Sequence, residues 1–391
     1  MDTRKSNFHE TDAISACEIS LVSSLSEIEG LRLSWRELEA RCTVTPFQSF
    51  DWIYQWSQTY ADPNRPDPAR IHIVLGRKNG RLLFVLPLMR RRRHGVNLLT
   101  WASDPFGQYG DILCDPGENP SRWMEAALAF CQRPGQDDII YLRHVRADAR
   151  IAAFARQNMS NAYFNEQAPY LDLTAFRTVG DYDKRYSTTQ KKRRKKIRKY
   201  LQRLGPVNFA PLSEQGLRDG AIALAIAEKQ VWLDKRGRFS RTMSCPRHVE
   251  FLQRLAGLKD KPLNLLVTKL SAGERTASWD INLRYGGTNY CYITSHMNDL
   301  DELSPGRLHM DQSQRLSLAD GMQKFDLMVP NDAHKDSWCS GRIDVNDYYL
   351  GFSTSGKIYG KAYLGLTRPL IRKVYYKLPP KVLVILQRLF R

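Results

Sequence analysis

Apolar and polar positions along the chain fall into short segments of two periods, 3.6 and 2 residues, which alternate from one end to the other. Residues 18–23 alternate one by one and predict a strand. Ile28, Leu31, Trp35 and Leu38 then recur at helical spacing over 26–41, with Ser26 placed to cap them. Trp52, Ile53 and Trp56 share one side of a second, aromatic helix over 50–60, and the three prolines of the following ADPNRPDPAR forbid regular structure. Strands at 71–77 and 81–89 flank Lys78, Asn79 and Gly80, where an Asn-Gly pair supplies the positive φ angles of a tight hairpin. Strands are expected next at 97–102, 111–114, 138–144 and 170–173, and helices at 120–132 and 148–159.

The second half repeats this order. After a basic helix come a strand at 207–211, helices at 214–235 and 247–258, and a hairpin of 263–270 and 275–285 around Ser271, Ala272 and Gly273. A strand at 288–297, a helix at 306–319 and a strand at 324–329 complete it. Hairpin, strand, helix and strand thus occur twice, with Gly80 and Gly273 at equivalent turns 193 residues apart. The pattern predicts an α/β fold built on a duplicated unit. Residues 1–16 are polar and are expected to lack structure.

With 391 residues, 42% of them hydrophobic and 26% charged, the chain is long enough for two domains with their own cores and too apolar to be disordered. The apolar run from Val382 to Leu386 is far shorter than the roughly 20 residues of a membrane helix, and the first 30 residues carry acids where a signal peptide would be apolar. A cytoplasmic location is the expectation. Seven cysteines, odd in number and never in a CxxC pair, argue for reduced thiols, and with no metal-ligand spacing among the eight histidines no metal is expected.

Charge changes this picture. The net +18 is carried by two short segments: residues 184–203 hold eleven Lys or Arg and no acid, and residues 357–391 hold nine and no acid. The first, KKRRKKIRKYLQRLG from Lys191, sets Ile197, Leu201 and Leu204 in a narrow apolar stripe on an otherwise basic helix that Gly205 and Pro206 stop. It reads either as a solvated helix face or as a surface that meets the phosphates of a cofactor, an anionic lipid or a nucleic acid. The second mixes Arg368, Arg372, Lys373, Lys377, Lys381 and Arg388 with aliphatic and aromatic residues. That mixture suits a helix lying in an anionic membrane surface, or one packed on the protein's own core with snorkelling basic side chains.

Several stretches resemble a known family. WRELEA at Trp35, TPFQSFDWIYQW from Thr45 and NGRLLFVLPLMRRRR from Asn79 carry the likeness in the first half. The basic helix, SPGRLHMDQSQRLSLADGMQKFDLM from Ser304 and HKDSW from His334 carry it in the second. Together they resemble the GNAT-superfamily acyltransferases of the CelD type, associated with cellulose biosynthesis, and more distantly the Fem aminoacyltransferases. The resemblance implies two tandem GNAT-like halves with mixed central sheets flanked by helices. The halves are expected at 17–175 and 176–345, with a basic extension at 346–391. It also implies acyl-CoA or acetyl-CoA as the donor, held by the second half. The acceptor would be an amine or hydroxyl of an envelope or polysaccharide precursor or an amino lipid. A Fem-like enzyme would instead use the basic helix to hold aminoacyl-tRNA, and a noncatalytic accessory protein of polysaccharide biosynthesis would use the tail to reach the inner face of the membrane.

Local chemistry singles out candidate residues. Ser304, Pro305 and Gly306 lead from a strand end into a helix, so the N–H groups of Gly306, Arg307 and Leu308 are expected to face a phosphate, with Arg307 adding charge. The same residues read equally as an ordinary capped helix start, and they hold fewer glycines than the usual GNAT phosphate loop. Acyl transfer to an amine needs a base and often an acid. Asp280 in WDINLRY is the candidate base and Tyr292 the candidate acid. Their alternatives are a pair between Asp280 and Arg284, and a plain strand aromatic. By resemblance Asp326, Lys335 and Trp338 match the family's Asp, Lys and Trp positions; Asp326 and Lys335 equally brace the fold if they pair. Arg90 to Arg93 read as contacts to an anionic substrate or as a basic strand end.

Overall fold

The computed structural model describes residues 17–378, apart from 66, 134 and 260; the polar leader 1–16 and the tail end 379–391 lie outside the described residues. The first half supplies strands β1 (Cys17–Val22), β2 (Arg70–Lys78), β3 (Arg81–Arg93), β4 (Val96–Trp101), β5 (Leu113–Cys114), β6 (Ile139–Arg146) and β7 (Ser160–Asp172). The second supplies β8 (Val207–Pro211), β9 (Asn264–Ala272), β10 (Arg275–Tyr285), β11 (Thr288–His296), β12 (Lys324–Asp326) and β13 (Gly341–Gly351). Helices flank a mixed sheet, so the class is α/β, as the periodicity predicts, with mixed strands, as the resemblance implies.

The expected sheets of the two halves are joined edge to edge into one of thirteen strands, ordered β1-β2-β3-β4-β6-β13-β7-β12-β11-β10-β9-β8, with β5 beside β3. The order reads as a near mirror about its centre. Four antiparallel strands, β1 to β4, are followed by β6 parallel to β4; likewise β8 to β11 are followed by β12 parallel to β11. At the centre the halves trade strands. β7 follows β6 in the chain but pairs with β12 of the second half, and β13 follows β12 but pairs with β6 of the first. β7 and β13 then pair with each other. The expected boundary at 345/346 therefore falls inside a strand.

Two elements were hidden from the hydrophobic pattern. β13 breaks its alternation at Asp347, which is buried yet polar because the backbone N–H of His144 and the Tyr141 hydroxyl both donate to it. Most of β7 is polar, with Asn161, Asn165, Glu166 and Gln167 along it, and is held by its backbone pairing with β13; β12 joins its other edge only at Tyr170–Asp172. Two predicted helices are each split in two. Leu31 separates Leu25–Gly30 from Arg32–Glu39, and Gly220, at φ 87°, separates Glu214–Arg218 from Ala221–Asp234.

The basic helix is Thr188–Gln202. Its two buried residues, Ile197 and Leu201, pack with Leu308, Leu300, Leu270 and Ala272, while Lys191, Lys192, Arg193, Lys195, Lys196, Arg198 and Lys199 are exposed. Gly205, just past its end, lies against the hairpin turn of β9 and β10: a Cβ there would sit 2.6 Å from the Gly273 Cα. Glycine at both positions is what lets the helix end close onto the sheet.

Candidate active site

The site forms where β11 and β12 part. They pair over Thr288–Tyr290 only, so the edge of β11 from Cys291 to His296 has no strand against it. A β-bulge lies at the same place: Ile281 opposes Ile293 and Asn282 opposes Cys291, leaving Tyr292 as the extra residue. A bulged residue leaves the ladder locally unpaired and re-aims its side chain.

Above this parting begins the helix Pro305–Ala319. Ser304 precedes it in the left-handed region, φ 53° and ψ 50°, and its side chain caps nothing. The Arg307 N–H bonds the Ser304 carbonyl at 3.1 Å. Of the three N–H groups expected to face an anion, that of Arg307 is therefore already used, because the tight left-handed entry brings the two groups together. Leu308 is buried and anchors the turn by its side chain. A Cβ on Gly306 would meet nothing within 4 Å, so that position faces open space.

Cations converge on this helix start. Burial, and then repulsion from Arg193 and Arg194, pull the Arg307 guanidinium below its usual range. Arg194 lies 3.3 Å above the Tyr186 ring and 4.8 Å from that of Trp338, and its Nε is 3.4 Å from Asp311. Its Nη1 is buried without a hydrogen-bond partner. Arg194 therefore ties together the basic helix, the SPGR helix through Asp311 and the HKDSW segment through Trp338. The three second-half stretches that carry the family resemblance meet at one side chain.

The candidate proton-transfer residues do not lie together. Asp280, on β10, is buried beneath the helix Pro305–Ala319; the Ser313 hydroxyl donates to it at 2.8 Å and His309 Nε2 is 3.6 Å away. Burial lifts its pKa, against the pull of His309, Ser313 and Lys229. Arg284 is paired with Asp320 instead, at 2.7 Å. Tyr292 points to the opposite face, among Phe47, Trp52 and His248, and its hydroxyl donates to the Phe106 carbonyl at 3.0 Å. Asp326 is buried and takes bonds from the Tyr109 hydroxyl at 2.8 Å, Arg146 at 2.6 Å and the Met328 N–H at 2.8 Å. Lys335 donates to the carbonyls of Met328 and Pro330 at 2.8 and 2.7 Å. The pair between Asp326 and Lys335 is not formed: Arg146, brought close by the strand exchange, claims Asp326.

Two groups that the sequence did not single out stand near Asp280. Burial pulls the Lys229 amine down to about 8, with Cys291 and Asp280 drawing it up and Lys335 pushing it down. His309 is fully buried, with Ser278 at 2.7 Å on Nδ1 and Thr268 at 2.8 Å on Nε2. The one signal for Lys229 was a lysine ending the apolar run AIALAIAE. His309 carried none. Among the described residues no three His, Cys, Asp or Glu are grouped to hold a metal ion, and no helix is long and apolar enough to cross a membrane.

Residues 188–336, from the basic helix to the HKDSW segment, match the family model of an acetyltransferase (GNAT) domain, so the second half carries a GNAT acetyltransferase domain. No curated protein matches the chain in sequence. Among solved structures it is similar in fold to FemX, with a TM-score of 0.56 and 11% identity over 88% of this chain and 99% of that one. It is also similar to the C-terminal DUF2156 domain of a candidate lysylphosphatidylglycerol synthetase from Agrobacterium fabrum, with a TM-score of 0.51 and 10% identity over 85% and 94% of the two chains. A tandem GNAT protein from the clavulanic acid pathway covers 86% of the chain at 11% identity, with a TM-score of 0.48.

Proposed function

We propose that the chain is an acyl-CoA-dependent N- or O-acyltransferase of the CelD type, acting on an amine or hydroxyl of an envelope or exopolysaccharide precursor or of an amino lipid. The observation that carries this reading is the unpaired β11 edge lying below a helix start where Arg193, Arg194 and Arg307 converge. CoA is a diphosphate on an amide-bearing arm. The diphosphate suits cations at a helix N-terminus, and the arm suits a free strand edge. In this reading Asp280, lifted by burial, takes the proton of the acceptor, and Lys229, near 8, returns one to the leaving thiolate. Tyr292, with its hydroxyl tied to the first half, holds the two halves in register.

Calorimetric titration of the full chain with acetyl-CoA and with a long-chain acyl-CoA tests the proposal. Binding of either, weakened at least tenfold by Arg194→Ala, supports it; no heat with both removes it. A second reading rests on the seven exposed cations of the basic helix, which suit the phosphates of an aminoacyl-tRNA donor. Salt-sensitive binding of tRNA together with silence toward acyl-CoA would favour it. The segment beyond β13 supports a position at an anionic membrane surface. Tyr359 and Leu364 pack on the sheet, whereas Ile358, Leu366, Leu370, Ile371 and Val374 are exposed beside Lys357, Lys361 and Lys373.

A further inference from the structure

A second charged cavity lies between the ends of β3, β4 and β6, the segment that follows β13, and Ser240, Arg241 and Thr242 of the second half. Its volume is about 410 Å³, and six arginines line it: Arg91, Arg92, Arg93, Arg143, Arg241 and Arg368. Only two carboxylates answer them. Asp104 pairs with Arg143 at 2.5 Å and with Arg91 at 3.6 Å, and Asp347 pairs with Arg368 at 3.3 Å. Among the described residues Arg92, Arg93 and Arg241 have no carboxylate partner.

Crowding like charges in a half-closed cavity is unfavourable unless an anion completes it. The arginines register the crowding: burial, then neighbouring guanidinium groups including Arg93 and Arg143, pull both Arg91 and Arg241 below their usual range. Two polar atoms in the wall also lack partners. Thr100 is 1% exposed and its hydroxyl has no hydrogen-bond partner, and Arg143 Nε is buried without an acceptor. A buried hydroxyl and a buried guanidinium N–H are costly to leave unsatisfied, so both call for an oxygen-rich ligand. Leu98, Pro105, Tyr141, Tyr359 and Leu364 supply an apolar side to the same cavity.

We propose that this cavity is a binding site for a phosphate ester, in which Arg91, Arg143 and Arg241 take the phosphate oxygens and Thr100 donates to one of them. Guanidinium forks match phosphate oxygens in pairs, and a fixed hydroxyl adds direction. The ester has two sources of the same chemistry: the head group of an anionic phospholipid, or a soluble phosphorylated molecule. The segment that gives Tyr359, Leu364 and Arg368 to the wall exposes Leu366 and Leu370 on its other side, which is how a site at a lipid surface would be built. The proposal is independent of the acyl-CoA reading, because none of these residues belongs to the donor site.

The test uses the full chain with two probes, glycerol 3-phosphate by calorimetry and phosphatidylglycerol vesicles by co-sedimentation, with phosphatidylcholine vesicles as control. Arg91→Ala combined with Arg241→Ala should weaken binding at least tenfold while leaving acyl-CoA binding unchanged. Thr100→Val keeps the shape and removes an unpaired hydroxyl. It should leave the thermal midpoint unchanged or raised, and weaken phosphate binding several-fold. Binding of both probes, with vesicle binding alone reduced by Leu370→Asp, assigns the ligand to a lipid. Binding of glycerol 3-phosphate without vesicle binding assigns it to a soluble ester. A parent chain that binds neither probe, or folded variants that bind as the parent does, overturns the site.

Discussion

The two halves use one order of elements to opposite ends at the place where their strands part. In both, a parallel pair holds for three residues and then separates: β4 with β6 over Leu98–Thr100, and β11 with β12 over Thr288–Tyr290. In the first half Trp101 closes the gap at once. Its indole N–H donates to the Arg143 carbonyl at 2.8 Å, and Gly110 packs so tightly on the ring that a Cβ would lie 1.8 Å from its nitrogen. The following helix, Pro120–Cys131, is capped by Asn119, which accepts from the Ser121 N–H, and Glu118 and Asp115 lie just upstream. In the second half β12 leaves the edge of β11 beyond Tyr290 unpaired among the described residues, no side chain caps the helix that follows, and Arg193 and Arg194 act on Arg307 at its start. A duplicated scaffold thus offers two partings, and a handful of side chains decides which one presents a free strand edge beside a cation-lined helix start.

The largest break in the comparison is to separate the halves. Each lacks a strand that the other provides, so 17–175 alone leaves β6 without β13, and 176–378 alone leaves β12 without β7. Exposed edges of this length favour aggregation over folding. Each fragment is expected to be insoluble by itself, and co-expression should restore a soluble pair. A fragment 17–175 that unfolds cooperatively as a monomer would show that the exchange is dispensable.

Next in size is the chemistry that only the second half carries. Asp280→Asn keeps the bond from Ser313 and removes the base. Turnover is expected to fall by roughly 10² to 10⁴ with donor affinity kept. A rate within a few fold of the parent would take Asp280 out of the mechanism and leave its network with His309 and Ser313 as a packing device.

What the sequence revealed follows the same division. Hairpins, the aromatic helix and the strand at Val207–Pro211 were legible because one face of each is apolar and turns mark the ends. β13 was not, since a strand paired on both edges can carry a buried polar residue, and most of β7 was not, since its backbone pairing with β13 holds it without a continuous apolar face. The helix start at Ser304 was legible from Ser-Pro-Gly, but the partner of Asp326 was not. Arg146 is 180 residues away, and only the strand exchange brings it there. Lys229 and His309 owe their character to burial, which no local pattern announces.

A smaller effect compares the two helix starts directly. Gly306→Pro removes the N–H of a first-turn position beside which a Cβ meets nothing within 4 Å, and proline is tolerated in the first turn, so the fold should survive. Acyl-CoA affinity is expected to fall about 10- to 100-fold, the size of losing a charge-assisted bond. Ser121→Pro at the matching place in the first half breaks the bond to Asn119. It should lower stability by about 1 kcal/mol while leaving the donor affinity alone. Equal affinities for the parent and the Gly306 variant, measured by calorimetry, would remove the helix start from the donor site.

The smallest effect concerns acid. Burial holds three histidines, His72 and His144 in the first half and His248 in the second, at about 4, well below the usual 6.5. Between those values the unfolded chain binds protons that the folded chain refuses, so stability contributed by the neutral rings is full above about pH 6.5 and lost as the pH falls toward 4. A shift of this size corresponds to about 1 kcal/mol per residue on going from pH 7 to pH 6. His248 is the informative one, because its ring touches Phe106 of the first half and its Nε2 lies 3.4 Å from the Tyr292 hydroxyl. His248→Gln should flatten the fall in urea midpoint between pH 7 and 5 by about a third of the three-histidine total. A slope unchanged by that substitution would mean that the ring stays protonatable in the folded chain, and that the contact between the halves at Phe106 opens to water.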